Sequence, residues 1–156
     1  MAKKRSADAI VTNRRARFDY DIEETIEAGL VLAGTEVKSL RGGKASLAEA
    51  FATVRNGEAW LVQAHIPEYE FGNRANHDPT RMRKLLLHRD EIGRCERFTQ
   101  EQGRTLVPMK LYWKDGNVKL LVGLGTGKAH HDKRADLAAK DAKREIERAL
   151  KARQRA

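Results

Sequence analysis

The longest regular pattern in the chain begins at Phe18. Phe18, Tyr20, Ile22, Ile26, Ala28, Leu30 and Leu32 share one parity, broken only by Glu24, while Asp19, Asp21, Glu23, Thr25 and Glu27 take the other. Successive side chains of a strand point to opposite faces, so this alternation predicts one long half-buried strand, or two strands joined at a bulge. A helix over Asp21 to Leu30 competes, because Ile22, Ile26 and Leu30 are four apart; we favour the strand. Gly34-Thr35 then opens a short helix, with Thr35 as N-cap, Glu36 in the first turn and Gly42-Gly43 past its end. Its Val37 and Leu40 would face the core, leaving Lys38 and Arg41 outside. Ser46 can cap a further turn. Phe51 to Arg55 and Glu58 to Ile66 read as strands joined at Asn56-Gly57, a strong two-residue hairpin signal.

After an irregular stretch from Glu68 to Pro79, Leu85 to Leu87 are apolar enough for a buried strand. Arg89 to Gln102 reads as a helix with Ile92, Cys95 and Phe98/Thr99 inward. Thr105 to Lys114 alternates with Val107, Met109, Leu111 and Trp113 on one face, and Asp115-Gly116-Asn117 turns it into Val118 to Leu124. Short strands, hairpin turns and two or three helices predict a small closed or partly closed barrel. The phase of their strands puts Trp60 and Trp113 in its core.

The apolar pattern stops at Gly125-Thr126-Gly127-Lys128, where two glycines can turn the backbone. From Ala135 onward the large apolar residues are only Leu137, Ile146 and Leu150. Ordering 22 residues costs about 20–40 kcal/mol of backbone entropy, and burying three such side chains returns roughly 5–9 kcal/mol. Yet Ala, Lys, Arg and Glu dominate there, and no Pro or Gly occurs. A tail disordered alone and helical against a partner follows.

Charge locates that partner. Of a net +9, residues 1–17 carry +5 and residues 132–156 carry +4, while 18–131 hold 16 cations and 16 anions. Basic arms on a balanced body point to a polyanion. Three segments follow: a basic arm over 1–17, a barrel over 18–130 and a basic tail over 131–156. No apolar run is long enough for a membrane span, and no apolar stretch follows the basic N-terminus as a signal peptide requires. Cys95 is the lone cysteine, which excludes an internal disulfide and fits a reducing cytoplasm.

Other chemistry finds little support. Gly123 to Lys128 is not a phosphate-cradling loop: Val122 stands where the first glycine belongs and Ala129 where the metal-binding hydroxyl belongs. His130-His131 lacks further ligands nearby, so neither a metal nor a cofactor is expected. No nucleophile–base pairing is visible among the serines, although Glu23, Glu24, Glu27 and Glu36 leave a two-carboxylate site open. In the loop Asn76 to Lys84, Asp78, Arg81, Arg83 and Lys84 fit either RNA phosphate contacts or salt bridging of the cations to Asp78 at the barrel rim.

Four separated blocks then carry a resemblance: Gly34-Thr35-Glu36-Val37-Lys38-Ser39-Leu40-Arg41, Asp78-Pro79-Thr80-Arg81-x-Arg83-Lys84-Leu85-Leu86-Leu87, Leu111-Tyr112-Trp113-Lys114 and Gly127-Lys128-x-x-x-Asp132-Lys133-Arg134. In this order they make the chain, from Ile10 to the tail, closely resemble the SmpB family. The resemblance implies an oligonucleotide-binding (OB-type) antiparallel barrel with flanking helices. It also implies a non-enzymatic cytoplasmic factor that binds transfer-messenger RNA (tmRNA) in trans-translation, the rescue of stalled ribosomes. Asn13, Glu27, Leu86 and Lys119 match positions that bind the tRNA-like domain of tmRNA, with Tyr20 near the ribosomal face. Arg14, Arg15, Arg17, Lys38 and Arg41 are added to the RNA-binding set on charge.

His131, Asp132, Lys133 and Arg134 match residues that engage the small-subunit decoding centre and message channel, joined by Lys128. Thr126 and Ala129 stand where the family often has lysine, which weakens the cationic character of this stretch. Alanyl-tRNA synthetase and elongation factor Tu are implied only indirectly, through alanylated tmRNA; neither a membrane nor a small-molecule substrate is implied. The alternatives are a general RNA-binding or ribosomal protein with the same barrel, and an RNA-processing enzyme using the acidic strand.

Overall fold

The computed structural model describes residues 8–72, 76–128 and 143–149. The elements run β1 (Asp8–Thr12), α1 (Ala16–Asp19), β2 (Tyr20–Leu30), α2 (Gly34–Arg41), β3 (Phe51–Arg55), β4 (Glu58–Val62), β5 (Arg83–Leu86), α3 (Arg89–Thr99), β6 (Arg104–Lys114) and β7 (Asn117–Gly127). All pairings are antiparallel. The order β6-β3-β4-β5-β2-β7 closes on itself through β6–β7, and β1 adds to β6 beside the stretch that β3 leaves free. The result is the OB-type closed barrel with flanking helices that the alternation and the resemblance implied.

Two hairpins are tight for a local reason. Asn56-Gly57 and Asp115-Gly116 both adopt positive φ at each central residue, the twist that two-residue antiparallel turns require. The interior is filled by Ile26, Ala28, Leu61, Leu85, Leu106, Leu111, Leu120, Val122 and Leu124, with Leu40 from α2 and Cys95 from α3 packed against them. Burial pushes the Cys95 thiol up to about 11, which leaves it an inert apolar filler.

Bulges set which side chains reach this core. In β2, Ile22 pairs with Gly125 but Glu24 pairs with Leu124, leaving Glu23 as an extra residue. The shift reverses the facing, so Ile26 and Ala28 enter the barrel core while Tyr20 and Ile22 pack outside with Ala16, Val107 and Met109. The parity shared by Ile22 and Ile26 therefore serves two opposite faces. The same happens in β6, where Met109 is extra between Pro108 and Lys110. Val107 and Met109 join the outer cluster, and Leu111 and Trp113 join the inner one. The single face expected for these four residues is corrected accordingly.

Four further expectations change. The arm over 1–17 is a strand from Asp8 and a helical turn from Ala16, because Ala9 and Val11 find open hydrogen-bonding edge on β6. Trp60 stands between Thr53 and Lys84 on the outer face, half-buried, while its neighbours Ala59 and Leu61 point inward. Thr35 lies inside α2, which starts from Ala33; the Glu36 carboxylate accepts from the Ala33 N–H at 2.8 Å. β7 continues to Gly127, and a Cβ at Gly125 would lie 2.8 Å from Ile22 Cδ1, so this glycine permits close packing and not a turn. In the tail, residues 143–149 are helical and exposed. The rest of the tail lies outside the described residues, with His131, Asp132, Lys133 and Arg134 among it.

Candidate nucleic-acid interface

Beyond the bulge, β2 turns Glu27 and Gly29 to the outside, where register sets them beside β5 and β7. Gly29 pairs with both Leu86 and Lys119, and Tyr112 of β6 pairs with Lys119 on the far side of β7. Glu27, Leu86 and Lys119, which share no sequence neighbourhood, thus meet on one face. They line a groove of about 610 Å³ that runs to His88, Glu91 and Ile92 of the α3 entrance. Leu86 keeps half of its surface in solvent. A Cβ at Gly29 would press on the Leu86 Cβ at 3.2 Å, so the groove floor is bare backbone.

The carboxylate at the edge of this groove is held by β6. The Tyr112 hydroxyl donates to Glu27 Oε2 at 2.5 Å, and Lys114 Nζ donates to Oε1 at 3.1 Å and to Oε2 at 3.2 Å. Lys110 Nζ stands 5.2 Å from the centre of the Tyr112 ring. The Tyr112 hydrogen bond, helped by Lys114 and Lys119 against a smaller burial effect, lowers the Glu27 carboxyl below its ordinary range. Burial and the same hydrogen bond push the Tyr112 phenol up. Glu27 is an anion and Tyr112 a proton donor throughout the neutral range. The Tyr112 hydrogen bond to Glu27 is the feature of this face that sequence reasoning missed. Its signal was the outward parity of Lys110, Tyr112 and Lys114, an aromatic between two lysines.

A second groove, of about 530 Å³, gathers other expected residues and shares none with the first. Asn13, Arg14, Arg15 and Tyr20 line it with the 45–51 turn and Thr105 to Pro108. Asn13 bridges the gap between β1 and β3 on β6: its N–H donates to Met109 O at 2.7 Å and its side-chain amide to Pro108 O at 3.0 Å. Arg14, Arg15 and Arg17 are exposed around α1, with Arg15 paired to Asp19 at 3.5 Å. Lys128 Nζ donates to the Arg17 carbonyl at 2.9 Å, so this lysine fastens the end of β7 to α1. Lys38 and Arg41 are exposed on α2, with Lys38 5.5 Å from the Tyr69 ring centre.

The 78–84 segment divides. Arg83 is fully buried: it pairs with Glu36 and donates to Ala64 O at 2.7 Å and Pro79 O at 3.0 Å. It has no access to a phosphate, which corrects its place in the RNA-binding set. Arg81 also pairs with Glu36, through Nε at 3.0 Å and Nη2, and donates to Val31 O at 3.2 Å. Asp78 caps its own turn, accepting from the Thr80 N–H at 3.1 Å. Lys84 pairs with Glu58 at 3.1 Å beside Trp60. Arg81 and Arg83 are salt-bridged, but to Glu36 of α2 and not to Asp78 at the rim as expected. Glu36 is fully buried; burial would raise its carboxyl, and the hydrogen bonds from Arg81, Ala33 and Arg83 outweigh it and leave it lowered.

Among the described residues, no group of His, Cys, Asp or Glu is arranged to hold a metal, and no helix is long and apolar enough to cross a membrane. Glu23 and Glu24, the remaining members of the acidic strand, pair with Arg104 and Arg94, so the strand offers no free carboxylate pair.

The model of the family described as SmpB protein matches residues 10–152. The chain belongs to the SmpB family. It is similar to the SsrA-binding protein of Thermobifida fusca, 55% identical over 98% of this chain and 99% of that protein. The SsrA-binding protein of Geotalea uraniireducens is 57% identical over 96% of this chain and 99% of its own length. A solved chain described under "tmRNA-SmpB: a journey to the center of the bacterial ribosome" superposes with a TM-score of 0.65 at 50% identity, over 77% of this chain and 85% of that one. The barrel and its outer groove thus sit on a family scaffold matched over nearly its whole length.

Proposed function

We propose that this protein is a non-enzymatic RNA-binding factor of the cytoplasm that binds the tRNA-like domain of tmRNA and delivers it to stalled ribosomes for trans-translation. The observation that carries the reading is the outer groove, where an oriented carboxylate, an exposed Leu86 and Lys119 come together on rigid strands. Lysine attracts phosphate without regard to sequence, whereas a fixed acceptor and an apolar side chain respond to the shape and edges of particular nucleotides. The second groove, with Asn13, Arg14, Arg15 and Arg17 about it, adds backbone contacts, and Tyr20 is assigned to the ribosomal side. The tail, with His131, Asp132, Lys133 and Arg134, is assigned to the small-subunit decoding centre and message channel. Alanyl-tRNA synthetase and elongation factor Tu meet the complex through alanylated tmRNA.

A competition experiment tests this. The tRNA-like domain of tmRNA is set against ordinary tRNA at about 0.15 M salt, where non-specific binding is weak. The expected result is preference for the tRNA-like domain, lost with Lys119→Ala and Leu86→Ala. Equal affinity for both RNAs would favour a general RNA-binding protein on the same barrel. Removing residues 135–156 is expected to leave this affinity nearly intact and to abolish peptide tagging in a translation assay. Simultaneous loss of both would overturn the division of labour.

A further inference from the structure

We infer that Tyr112 and Lys114 are positioning residues that hold the Glu27 carboxylate as an oriented acceptor for a hydrogen-bond donor of RNA, a base N–H or a ribose 2′-hydroxyl. The inference rests on the reading of the outer groove as an RNA face, and adds which chemical group of the RNA that face selects. A carboxylate can only accept, and phosphate oxygens donate nothing, so Glu27 has no favourable partner in the RNA backbone charges. Its two oxygens offer about four acceptor positions. Oε2 receives Tyr112 and Lys114, whereas Oε1 receives Lys114 alone, which leaves room on Oε1.

The surroundings suit an acceptor that must approach a polyanion. Lys114 bonds the carboxylate directly, and Lys119 adds positive potential from β7. These charges offset the repulsion that a bare carboxylate would meet on approach. Tyr112, nearly buried itself, cannot swing away, and Lys110 closes over its ring. The acceptor therefore faces the RNA in one orientation before binding, which spares the ordering cost at the moment of contact.

Electrostatics and hydrogen bonding predict opposite signs. Glu27→Gln removes a negative charge, so attraction to phosphate alone would strengthen binding of the tRNA-like domain. Loss of a charged acceptor weakens it about tenfold or more. Tyr112→Phe keeps the ring and the charge of Glu27 but removes the donor, and is expected to weaken binding several-fold, roughly the effect of one hydrogen bond. It also frees the carboxyl to take up a proton at a higher pH. The groups facing Glu27 are Tyr112 and Lys114 from β6 and Lys119 from β7; Glu58, His88 and Glu91 line the same groove, so the step that belongs to Glu27 is the one absent from Glu27→Gln.

The experiment measures affinity for the tRNA-like domain of tmRNA from about pH 7 down to about pH 4, which takes in the ordinary carboxyl range, using the full chain and its Glu27→Gln, Tyr112→Phe and Lys114→Met variants, with thermal melts to confirm folding. Tyr112→Phe should lose affinity on acidification earlier than the parent, and Glu27→Gln should show no such step. Carbon-13 titration of the Glu27 carboxyl in the free protein should show its midpoint rising in Tyr112→Phe, a readout independent of RNA. Analogue interference then tells base from sugar. Inosine for guanine, or 2′-deoxyribose for ribose, should interfere at a nucleotide where the effect disappears in Glu27→Gln. If Glu27→Gln binds as well as the parent or better, the acceptor role is overturned. The RNA face itself still stands in that case if Leu86→Ala and Lys119→Ala weaken binding, and falls if they do not. If Tyr112→Phe matches the parent in affinity, pH profile and carboxyl titration, the positioning role is overturned.

Discussion

Glu36 and Glu27 are both carboxylates gripped by basic residues, one on α2 and one on β2. Glu36 is wholly buried and takes hydrogen bonds from Arg81, Arg83 and the Ala33 N–H, so neither of its oxygens is open to an outside donor. Glu27 keeps about a third of its side chain exposed and leaves one oxygen with room to spare. Exposure separates the two. The first cluster pins α2 to β5, and through Ala64 and Pro79 to the loops beside them. The second presents an anchored charge to the outside. Cations near a carboxylate are therefore no guide to function until it is known whether they leave an oxygen open to the outside.

The contrast is sharpest in stability. Glu36→Gln leaves two guanidinium groups without their counter-charge, one of them fully buried, and is expected to cost about 3–5 kcal/mol. Glu27→Gln changes a surface group and is expected to cost about 1 kcal/mol or less. Urea unfolding of both variants measures the difference; similar losses would erase the distinction between anchor and reader. Acid acts next. Glu36 has its folded carboxyl lowered, so its stabilisation is complete above its unfolded value and is lost as pH falls through the folded one. Unfolding free energy of the parent should fall below about pH 5, and that fall should be shallower in Glu36→Gln, which has nothing left there to lose. Glu27, also lowered, should contribute the smaller share of the same slope.

Much of the barrel was legible because alternation and turn chemistry are local. Asn56-Gly57 and Asp115-Gly116 specify their turns outright, and Val118 to Leu124 shows its inward residues directly. The bulges were not legible in the same way. Glu23 and Met109 differ in every property, and neither marks its strand as carrying an extra residue. The strand Asp8–Thr12 is short and gains its hydrogen bonds from an edge about 100 residues away, which no local pattern reveals. Arg83 looked like any loop cation because its burial depends on Glu36, 47 positions earlier. At the candidate site, Glu27, Leu86 and Lys119 came from resemblance, and only the register of β2, β5 and β7 shows why they belong together.

The extra residue at Glu23 is a store of slack. A strand with a bulge has one more residue than its partner needs. If the chain loses a residue between Ile22 and Ile26, flattening the bulge restores regular pairing, with Ile22 still outside and Ile26 still inside. If it gains one there, no such reserve exists, and one half of the strand must turn its side chains over. Deletion of Glu23 should therefore leave a folded barrel that still binds RNA through Glu27, whereas an added residue at the same place should not; thermal melts of the two length variants read the asymmetry.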